Sequence, residues 1–243
     1  GLSIACRGSR RGGLTVEQTF LLTTMVWGGL PVFGALPFLF GAPDARVVDA
    51  VFEAMSGLTT TGSTVFTGLD GMPRGTLLWR ALLQWFGGVG VIVVAVAFLP
   101  ALKVGGMQLF RSEGFDTFGK ILPRAAEIAA SIGWIYLALT AACASAYAAL
   151  GMSVFDAICH AMTTIATGGF ANYDASFGAF PPAIHYAASI FLLLASLPFV
   201  RYVQVAAGSA GPLLRDSQVR VFLAIAATVV ALLAAWRAIG AGG

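Results

Sequence analysis

Charged residues are scarce in this chain, and their scarcity excludes an ordinary soluble domain. Only 10% of the 243 residues are charged, whereas 58% are hydrophobic, and the mean hydropathy is +0.86. Soluble domains carry about 25% charged residues, so this composition indicates an integral membrane protein. The net charge of +3 comes without a basic run interleaved with aromatic residues, so nucleic acid is not an expected partner.

Cysteine and histidine are also rare, which limits the chemistry that the chain can perform. The three cysteines, Cys6, Cys143 and Cys159, form no CxxC pair, and we expect small apolar residues rather than a disulfide. His160 and His185 stand apart from any ligand cluster, so no transition-metal site and no covalently bound cofactor are predicted. GxSxG and HExxH motifs are absent too, and we predict that the chain is not an enzyme.

Long apolar runs are abundant, and five of them are long enough to cross a bilayer as helices. A spanning helix needs about 20 predominantly apolar residues. We therefore predict an all-α membrane protein. The five predicted spans are Glu17–Phe40, Leu77–Leu102, Ala125–Leu150, Ala183–Ala206 and Val219–Ile239.

Two further apolar runs, Val47–Leu58 and Val154–Ile165, are too short to span. Twelve helical residues reach roughly 18 Å, little more than half of the hydrocarbon core. Each run is followed by a polar, glycine-containing string. By length alone, these runs are either re-entrant helices or buried helices in outside loops, and both interpretations remain open.

The basic residues are distributed unevenly, and their distribution predicts the orientation. Ten of the fourteen Lys and Arg residues lie in three segments, 1–16, 103–124 and 201–220. These segments share one side if all five spans cross. The positive-inside rule places them, and the N-terminus, in the cytoplasm of a multi-pass protein of the cell (inner, cytoplasmic) membrane. Both short apolar runs then face outward.

An internal repeat relates the two short runs. With an offset of 107 residues, DAVFEAMSGLTTTG (49–62) aligns without gaps to DAICHAMTTIATGG (156–169), and six of fourteen positions are identical. Each copy lies between an outward-going and an inward-going span. The repeating unit is therefore span, short helix, polar string, span. Copies of the same orientation imply an axis along the membrane normal, with the polar strings gathered around it.

The strings contain the residues that a dehydrated cation would need. A ring of backbone carbonyl oxygens can replace the hydration shell of potassium. Gly62 and Gly169 permit backbone angles that other residues avoid, so successive carbonyls can face one axis. Neither string contains an acidic residue, which favours carbonyl over carboxylate coordination.

At this point the chain resembles a known family. The motifs FEAMSGLTTTGSTV, LLQWFGGVGVIVVAVAFLP, GGMQLFRSE, DAICHAMTTIATGGFANYDAS and LPFVRYVQ are similar to those of Trk-type potassium uptake subunits, in the Trk/Ktr/HKT superfamily. The resemblance implies tandem membrane–pore–membrane repeats with re-entrant pore helices, four in the whole family fold. It also implies potassium as the transported ion, a homodimer embedded in membrane lipid, and a cytoplasmic nucleotide-binding regulatory subunit.

By the same resemblance, each repeat contributes one strand to a selectivity filter. The first strand consists of Thr60, Thr61, Gly62 and Ser63, and the second consists of Thr167, Gly168, Gly169 and Phe170. We refer below to residues 59–65 as the first string and to residues 166–172 as the second string.

The chain departs from the family in its extent, and we expect a partial chain. The remaining two filter strands, the intramembrane gating loop of the third repeat and the extra N-terminal helices of the family are absent. The predicted divisions are a cytoplasmic N-terminal segment (1–16), a first repeat (17–102), a cytoplasmic linker (103–124), a second repeat (125–206), and a link with the first helix of an incomplete third repeat (207–243).

Several polar residues near the strings have more than one interpretation. Glu53 and His160 share a repeat position, and we expect buried residues hydrogen-bonded to string backbone rather than cation attraction or proton sensing. Asp49 and Asp156 suit the positive ends of the short helices, and we expect this structural role rather than recruitment of ions. The GGVG sequence at 87–90 lies in an apolar run, which predicts close helix packing rather than a nucleotide loop. Arg201 is expected to extend to the cytoplasmic headgroups.

One rival function is a secondary transporter that couples a small solute or cation to Na⁺ or H⁺. Such a protein would have inverted repeats and an ionisable residue near the bilayer midplane. The sequence gives neither indication, and potassium uptake is the preferred hypothesis.

Overall fold

A computed structural model describes residues 16–102 and 125–240 and contains, within those ranges, helices joined by turns and extended segments. The predicted linker, and all but the last residue of the predicted N-terminal segment, lie outside them. The α-helices are α1 (Val16–Gly34), α2 (Leu36–Phe40), α3 (Val47–Leu58), α4 (Arg74–Leu102), α5 (Ala125–Ala149), α6 (Val154–Ile165), α7 (Pro182–Ala195), α8 (Phe199–Ala206), α9 (Gly211–Arg215) and α10 (Ser217–Gly240). Short 3-10 helices occur at Leu69–Gly71 and Ser176–Ala179.

Several of these helices have the dimensions of membrane spans. The segments Phe20–Phe40, Ala130–Ala149 and Ser217–Ile239 are long and apolar enough to cross a bilayer, and the bent pair α7–α8 would make a fourth. Helix α4 has 29 residues, which corresponds to about 43 Å. All-helical membrane character is thus confirmed for the part of the chain that the structure describes.

The prediction of one continuous helix over Ala183–Ala206 is wrong. The structure instead has α7 and α8, which meet at a bend of 86°. Proline at position 198 explains the break, since its ring disfavours helical geometry at the preceding Leu197. Pro198 then serves as the N-cap residue of α8.

Arg201 on α8 also differs from its prediction. Its Nε donates to Oδ2 of Asp216 at 2.7 Å, and its Nη1 donates to Oε1 of Gln204 at 3.1 Å. The guanidinium therefore binds protein groups rather than only reaching towards lipid headgroups. Asp216 in turn precedes α10 and accepts from the backbone N–H of Gln218 at 2.8 Å, so it caps that helix.

Two buried clusters hold the helices together, one in each half of the described chain. The first half packs around Phe38, Leu58 and Leu83. The second half packs around Tyr136, Tyr147 and other side chains of α5, α6 and α7. Helix α4 connects them, because it packs against α3 in its own half and against α5 and α6 in the other.

The junction between α8 and α10 gives a prediction about pH. Burial alone would raise the pKa of Asp216, but hydrogen bonds from Arg201 and from two backbone amides outweigh burial and lower that pKa. Its contribution to stability is therefore present above the unfolded pKa of about 3.9 and lost as pH falls through the folded value. We expect Asp216→Ala to lower the free energy of unfolding by about 1 kcal/mol at neutral pH.

Thermal unfolding in detergent at neutral and acidic pH would measure this difference. The gap between the parent and Asp216→Ala should close as the pH falls below about 4. Asp49→Ala is the matched control: it removes a pair with Arg46 whose side chain is 85% exposed, so its effect should be smaller. An equal gap at pH 7 and pH 3 would contradict the assigned role of Asp216.

Candidate functional site

The two short helices α3 and α6 have the bounds that the sequence predicted, and both end in the same way. After α3, the N–H of Thr61 donates to the carbonyl of Ser56 at 2.9 Å. After α6, the N–H of Gly168 donates to the carbonyl of Thr163 at 2.9 Å. These positions are 107 residues apart, and each bond closes a helix in the manner of a Schellman motif.

The backbone angles after the two helices also match at the same offset. Thr60 and Thr167 have φ values of 54° and 52°, although a β-branched residue rarely adopts positive φ. Gly62 and Gly169 follow with φ values of 81° and 84°. For the two threonines these angles cost about 1–3 kcal/mol each, and such strained residues collect at functional sites, whereas glycine adopts positive φ without strain. The helix ends therefore turn into strings with a specific, repeated geometry.

Glu53 fixes the first string from the protein interior. Its side chain is fully buried, as predicted for a residue packed against string backbone. Its carboxylate accepts from the Thr64 hydroxyl at 2.8 Å, from the Val65 N–H at 3.1 Å and from Arg80 Nε at 2.8 Å. The carboxylate is thus occupied by protein donors and does not face solvent.

His160 has the corresponding role in the second half. Its Nδ1 lies 2.9 Å from the carbonyl of Asp156, and the N–H of Asn172 donates to its Nε2 at 3.4 Å. An imidazole that accepts at Nε2 must carry its proton on Nδ1 and be neutral. Like Glu53, His160 is buried and bonded to string backbone, as expected.

The two aspartates near the helix starts have structural partners. Asp49 pairs with Arg46 in the first turn of α3 at 2.7 Å. Asp156 accepts from the Ser153 hydroxyl at 2.6 Å, while the Asp156 N–H donates back to Ser153 at 3.1 Å, which forms a reciprocal cap on α6. Asn172 Nδ2 also donates to Asp156 at 2.8 Å, so this carboxylate ties the start of α6 to the second string.

The two strings lie against each other at their glycines. A Cβ added to Gly62 would overlap the carbonyl oxygen of Gly168, and one added to Gly168 would overlap the side chain of Gln84. The Oε1 of Gln84 accepts from the N–H of Phe170 at 3.0 Å. A side chain at position 62 would therefore collide with the backbone of the second string, and one at position 168 would have to displace the buried Gln84.

Beyond the strings, acidic side chains join the two loops that follow them. Asp174 accepts from the N–H groups of Gly68 and Leu69 at 2.8 Å and 3.1 Å. In return, the N–H of Asp174 donates to Asp70 at 3.1 Å. These exposed carboxylates link the two halves of the site.

Fewer of the string carbonyl oxygens than of the string amides have a hydrogen-bond partner in the protein. Ser63 is an exception, because its carbonyl accepts from the Ser56 hydroxyl at 2.6 Å. Within residues 16–102 and 125–240, no protein donor is assigned to the carbonyl oxygens of Thr60, Thr61, Gly62, Thr167, Gly168, Gly169 or Phe170. More than half of the string amides thus bond to protein groups, and a set of carbonyls is available for another partner.

Two functional candidates were missed by the sequence reasoning, Arg80 and Gln84. Arg80 lies within the predicted span Leu77–Leu102, is 1% exposed and contacts both strings. Gln84 follows one turn later on α4 and is fully buried. A charged or polar side chain inside an apolar span is a signal of function, and it could have identified both residues.

The GGVG sequence of α4 packs closely, as predicted. A Cβ on Gly87 would overlap the carbonyl oxygen of Leu58, at the end of α3. A Cβ on Gly88 would lie 2.6 Å from the Tyr136 hydroxyl and 3.2 Å from Cα of Ala166. These glycines let α4 approach the ends of both short helices, in the manner of small residues in membrane helix interfaces.

The close approach at Gly87 gives a prediction with an internal control. We expect Gly87→Ala to lower the free energy of unfolding by about 1–3 kcal/mol, because overpacking against backbone forces α3 and α4 apart. Gly90→Ala, on the same helix with nothing within 4 Å of its added Cβ, should be neutral or raise stability by up to about 1 kcal/mol. Thermal unfolding of both variants in detergent would measure this, and similar stabilities would refute the packing assignment.

A known protein family matches the chain over most of its length. Residues 5–239 match the TrkH family, described as a cation transport protein. The chain belongs to this family.

Individual relatives agree with the family match. The chain is 46% identical over 222 residues to the Trk system potassium uptake protein TrkI of Halomonas elongata, covering 90% of this chain and 45% of the relative. It is 44% identical over 227 residues to the Trk system potassium uptake protein TrkH of Escherichia coli, covering 91% and 47%. The chain thus spans about half the length of the relatives it matches.

A solved structure supports the same fold. The crystal structure of the potassium transporter TrkH from Vibrio parahaemolyticus superposes with a TM-score of 0.77 at 41% sequence identity. The similarity covers 88% of this chain and 44% of that one. The family match, the individual relatives and the solved structure all agree with the resemblance that the sequence motifs indicated.

Proposed function

We propose that this chain forms part of a potassium uptake pathway in which the two strings are strands of a selectivity filter. The observation that carries the proposal is the set of uncommitted carbonyl oxygens on strings whose amides bond to buried side chains. Carbonyl oxygens arranged in this way can replace the water around a dehydrated potassium ion. Potassium is the proposed ion because the relatives are named potassium uptake proteins.

The filter residues are those that the resemblance indicated, with one restriction. Thr60, Thr61 and Gly62 supply carbonyls from the first string, while Ser63 ends that row because Ser56 occupies its carbonyl. Thr167, Gly168, Gly169 and Phe170 form the second row. Helices α3 and α6 direct their negative C-terminal ends towards the strings, which favours a cation by about 0.3–1 kcal/mol each.

The strings also support a re-entrant arrangement in tandem repeats. The same helix-closing bonds and left-handed angles recur at an offset of 107 residues, which favours two copies of one unit. In this arrangement residues 17–102 and 125–206 are the two repeats. Residues 207–243 contain a cytoplasmic link and the first helix of an incomplete third repeat. Segments 1–16 and 103–124 are cytoplasmic, and the strings enter from the outside of the inner membrane.

The complete pathway needs further elements. Two strings cannot surround an ion, and the chain spans about half of its relatives, so we infer that the remaining strands come from outside residues 1–243. A homodimer and a cytoplasmic nucleotide-binding regulatory subunit complete the proposed assembly. Both rest on the family resemblance.

Serine in place of the filter glycines tests the proposal. We expect Gly62→Ser in the full-length gene product to abolish potassium uptake, because its side chain would meet the Gly168 carbonyl. Gly169→Ser has open space around it but a φ of 84°, so we expect it to retain uptake and to lose preference for potassium over sodium. Growth and ion uptake are measured at low potassium, in a host lacking its own uptake systems.

Gly208→Ser is the matched control, since Gly208 has a φ of 88° and open space but lies far along the chain from both strings. It introduces the same backbone strain as Gly169→Ser and should leave ion preference unchanged at equal membrane level. If all three variants support growth as the parent does, the strings are ordinary loops. If the parent is inactive even with a regulatory subunit supplied, potassium uptake itself is refuted.

A further inference from the structure

Arg80 is the most deeply buried cationic group in the part of the chain that the structure describes, with 1% of its surface exposed. It lies in the second turn of α4, one turn before Gln84. A buried guanidinium requires a charge partner and hydrogen-bond acceptors for its remaining N–H groups. The identity of those acceptors indicates what Arg80 does.

Two contacts of Arg80 are made to the first half of the chain. Its Nε donates to Oε1 of Glu53 at 2.8 Å, and its Nη2 donates to the hydroxyl of Thr64 at 3.2 Å. Thr64 also donates to Glu53, and Glu53 accepts from the string N–H of Val65. The guanidinium is therefore bonded to the first string through a closed network.

Two further contacts are made to the second half. Nη1 of Arg80 donates to the carbonyl of Ala171 at 2.8 Å, and the guanidinium carbon lies 4.2 Å from the centroid of the Phe170 ring. Ala171 directly follows the row of uncommitted carbonyls in the second string. The bond to Arg80 therefore turns the Ala171 carbonyl into the protein and ends that row at Phe170.

We propose that Arg80 is a positioning residue that sets the spacing and register of the two strings and thereby the ion preference of the filter. This inference rests on the proposed function. A guanidinium is planar and presents its donors in a fixed fork, so bonds from Nε, Nη1 and Nη2 constrain the atoms they reach relative to one another. The covalent geometry of one side chain thus fixes the distance between Thr64 and Ala171.

The charge of Arg80 does not itself attract or repel the ion strongly. Glu53 lies in contact with it and is fully buried, so the pair is close to neutral as seen from the strings. A lysine at this position would preserve that neutrality. It cannot span Glu53, Thr64 and Ala171 with a planar fork, because its donors all belong to one nitrogen. Arg80→Lys therefore separates positioning from charge.

We expect Arg80→Lys to lower the ratio of potassium to sodium uptake by about tenfold, because the Ala171 carbonyl is released and the second string loses its register. Uptake of both ions is measured with the full-length gene product in a host lacking its own uptake systems, at matched membrane levels. Thermal unfolding in detergent is measured alongside. A role in stability alone would lower the unfolding temperature without changing the ratio.

Arg74→Lys is the matched control, because Arg74 lies on the same helix, is exposed, and has its guanidinium over the ring of Phe155. Its uptake ratio should equal that of the parent. Thr64→Val is a milder second variant, which removes the hydroxyl between Arg80 and Glu53 and keeps the ion pair. We expect it to lower the ratio by about two- to threefold.

The outcomes separate this inference from the proposed function. If Arg80→Lys has the same ratio of potassium to sodium uptake as the parent, the positioning role is overturned while the filter proposal stands. If Arg80→Lys does not reach the membrane, Thr64→Val decides: a lowered ratio supports positioning, and an unchanged ratio overturns it. A parent that shows no selective potassium uptake overturns both.

Discussion

A peptide group that leaves a helix in apolar surroundings must find a hydrogen-bond partner, and this constraint governs the arrangement around the two strings. The described structure satisfies it with buried side chains: Glu53 accepts from Val65, Gln84 from Phe170, and His160 from Asn172. Each of these bonds uses an amide. Apart from the carbonyls of Ser63 and Ala171, which accept from Ser56 and Arg80, the string carbonyls have no donor assigned among the described residues, so interior packing determines which backbone atoms are free to bind an ion in the proposed filter.

Helix α4 supplies much of this interior surface. Its residues Arg80, Gln84, Gly87 and Gly88 follow one another at spacings that place them on a single helical face. The polar pair bonds to the strings, and the glycine pair admits the ends of α3 and α6 at close range. Because α4 packs against α5 and α6 as well as α3, this one helix of the first half can bond to both strings.

The sequence predicted the local features of this site and missed the long-range ones. Apolar run length gave the bounds of α3 and α6, and the repeat of 107 residues indicated the paired glycines. The burial of Glu53 and His160 and their bonds to string backbone were predicted correctly. A polar side chain in an apolar helix must find a hydrogen-bond partner, and the nearby string amides have no helical acceptor. The bonds of Arg80 to Ala171 and of Gln84 to Phe170 join residues 91 and 86 positions apart, and no pattern in one sequence encodes such pairings. The bend before Pro198 was missed because the span was predicted from its continuous hydropathy. The proline restricts the backbone only at the preceding residue, and it does not change that hydropathy.

The position of Arg80 in the chain has a consequence for biosynthesis. Glu53 precedes it by 27 residues, whereas Ala171 follows it by 91. A chain made from its N-terminus therefore presents the carboxylate before the guanidinium, and the charge can enter the bilayer already neutralised, which avoids most of the cost of inserting a lone arginine. The second string is synthesised later, and its Ala171 carbonyl then accepts from a guanidinium that Glu53 already holds. The ion pair of Arg80 is therefore complete within the first half of the chain, and only its bond to Ala171 depends on the second half.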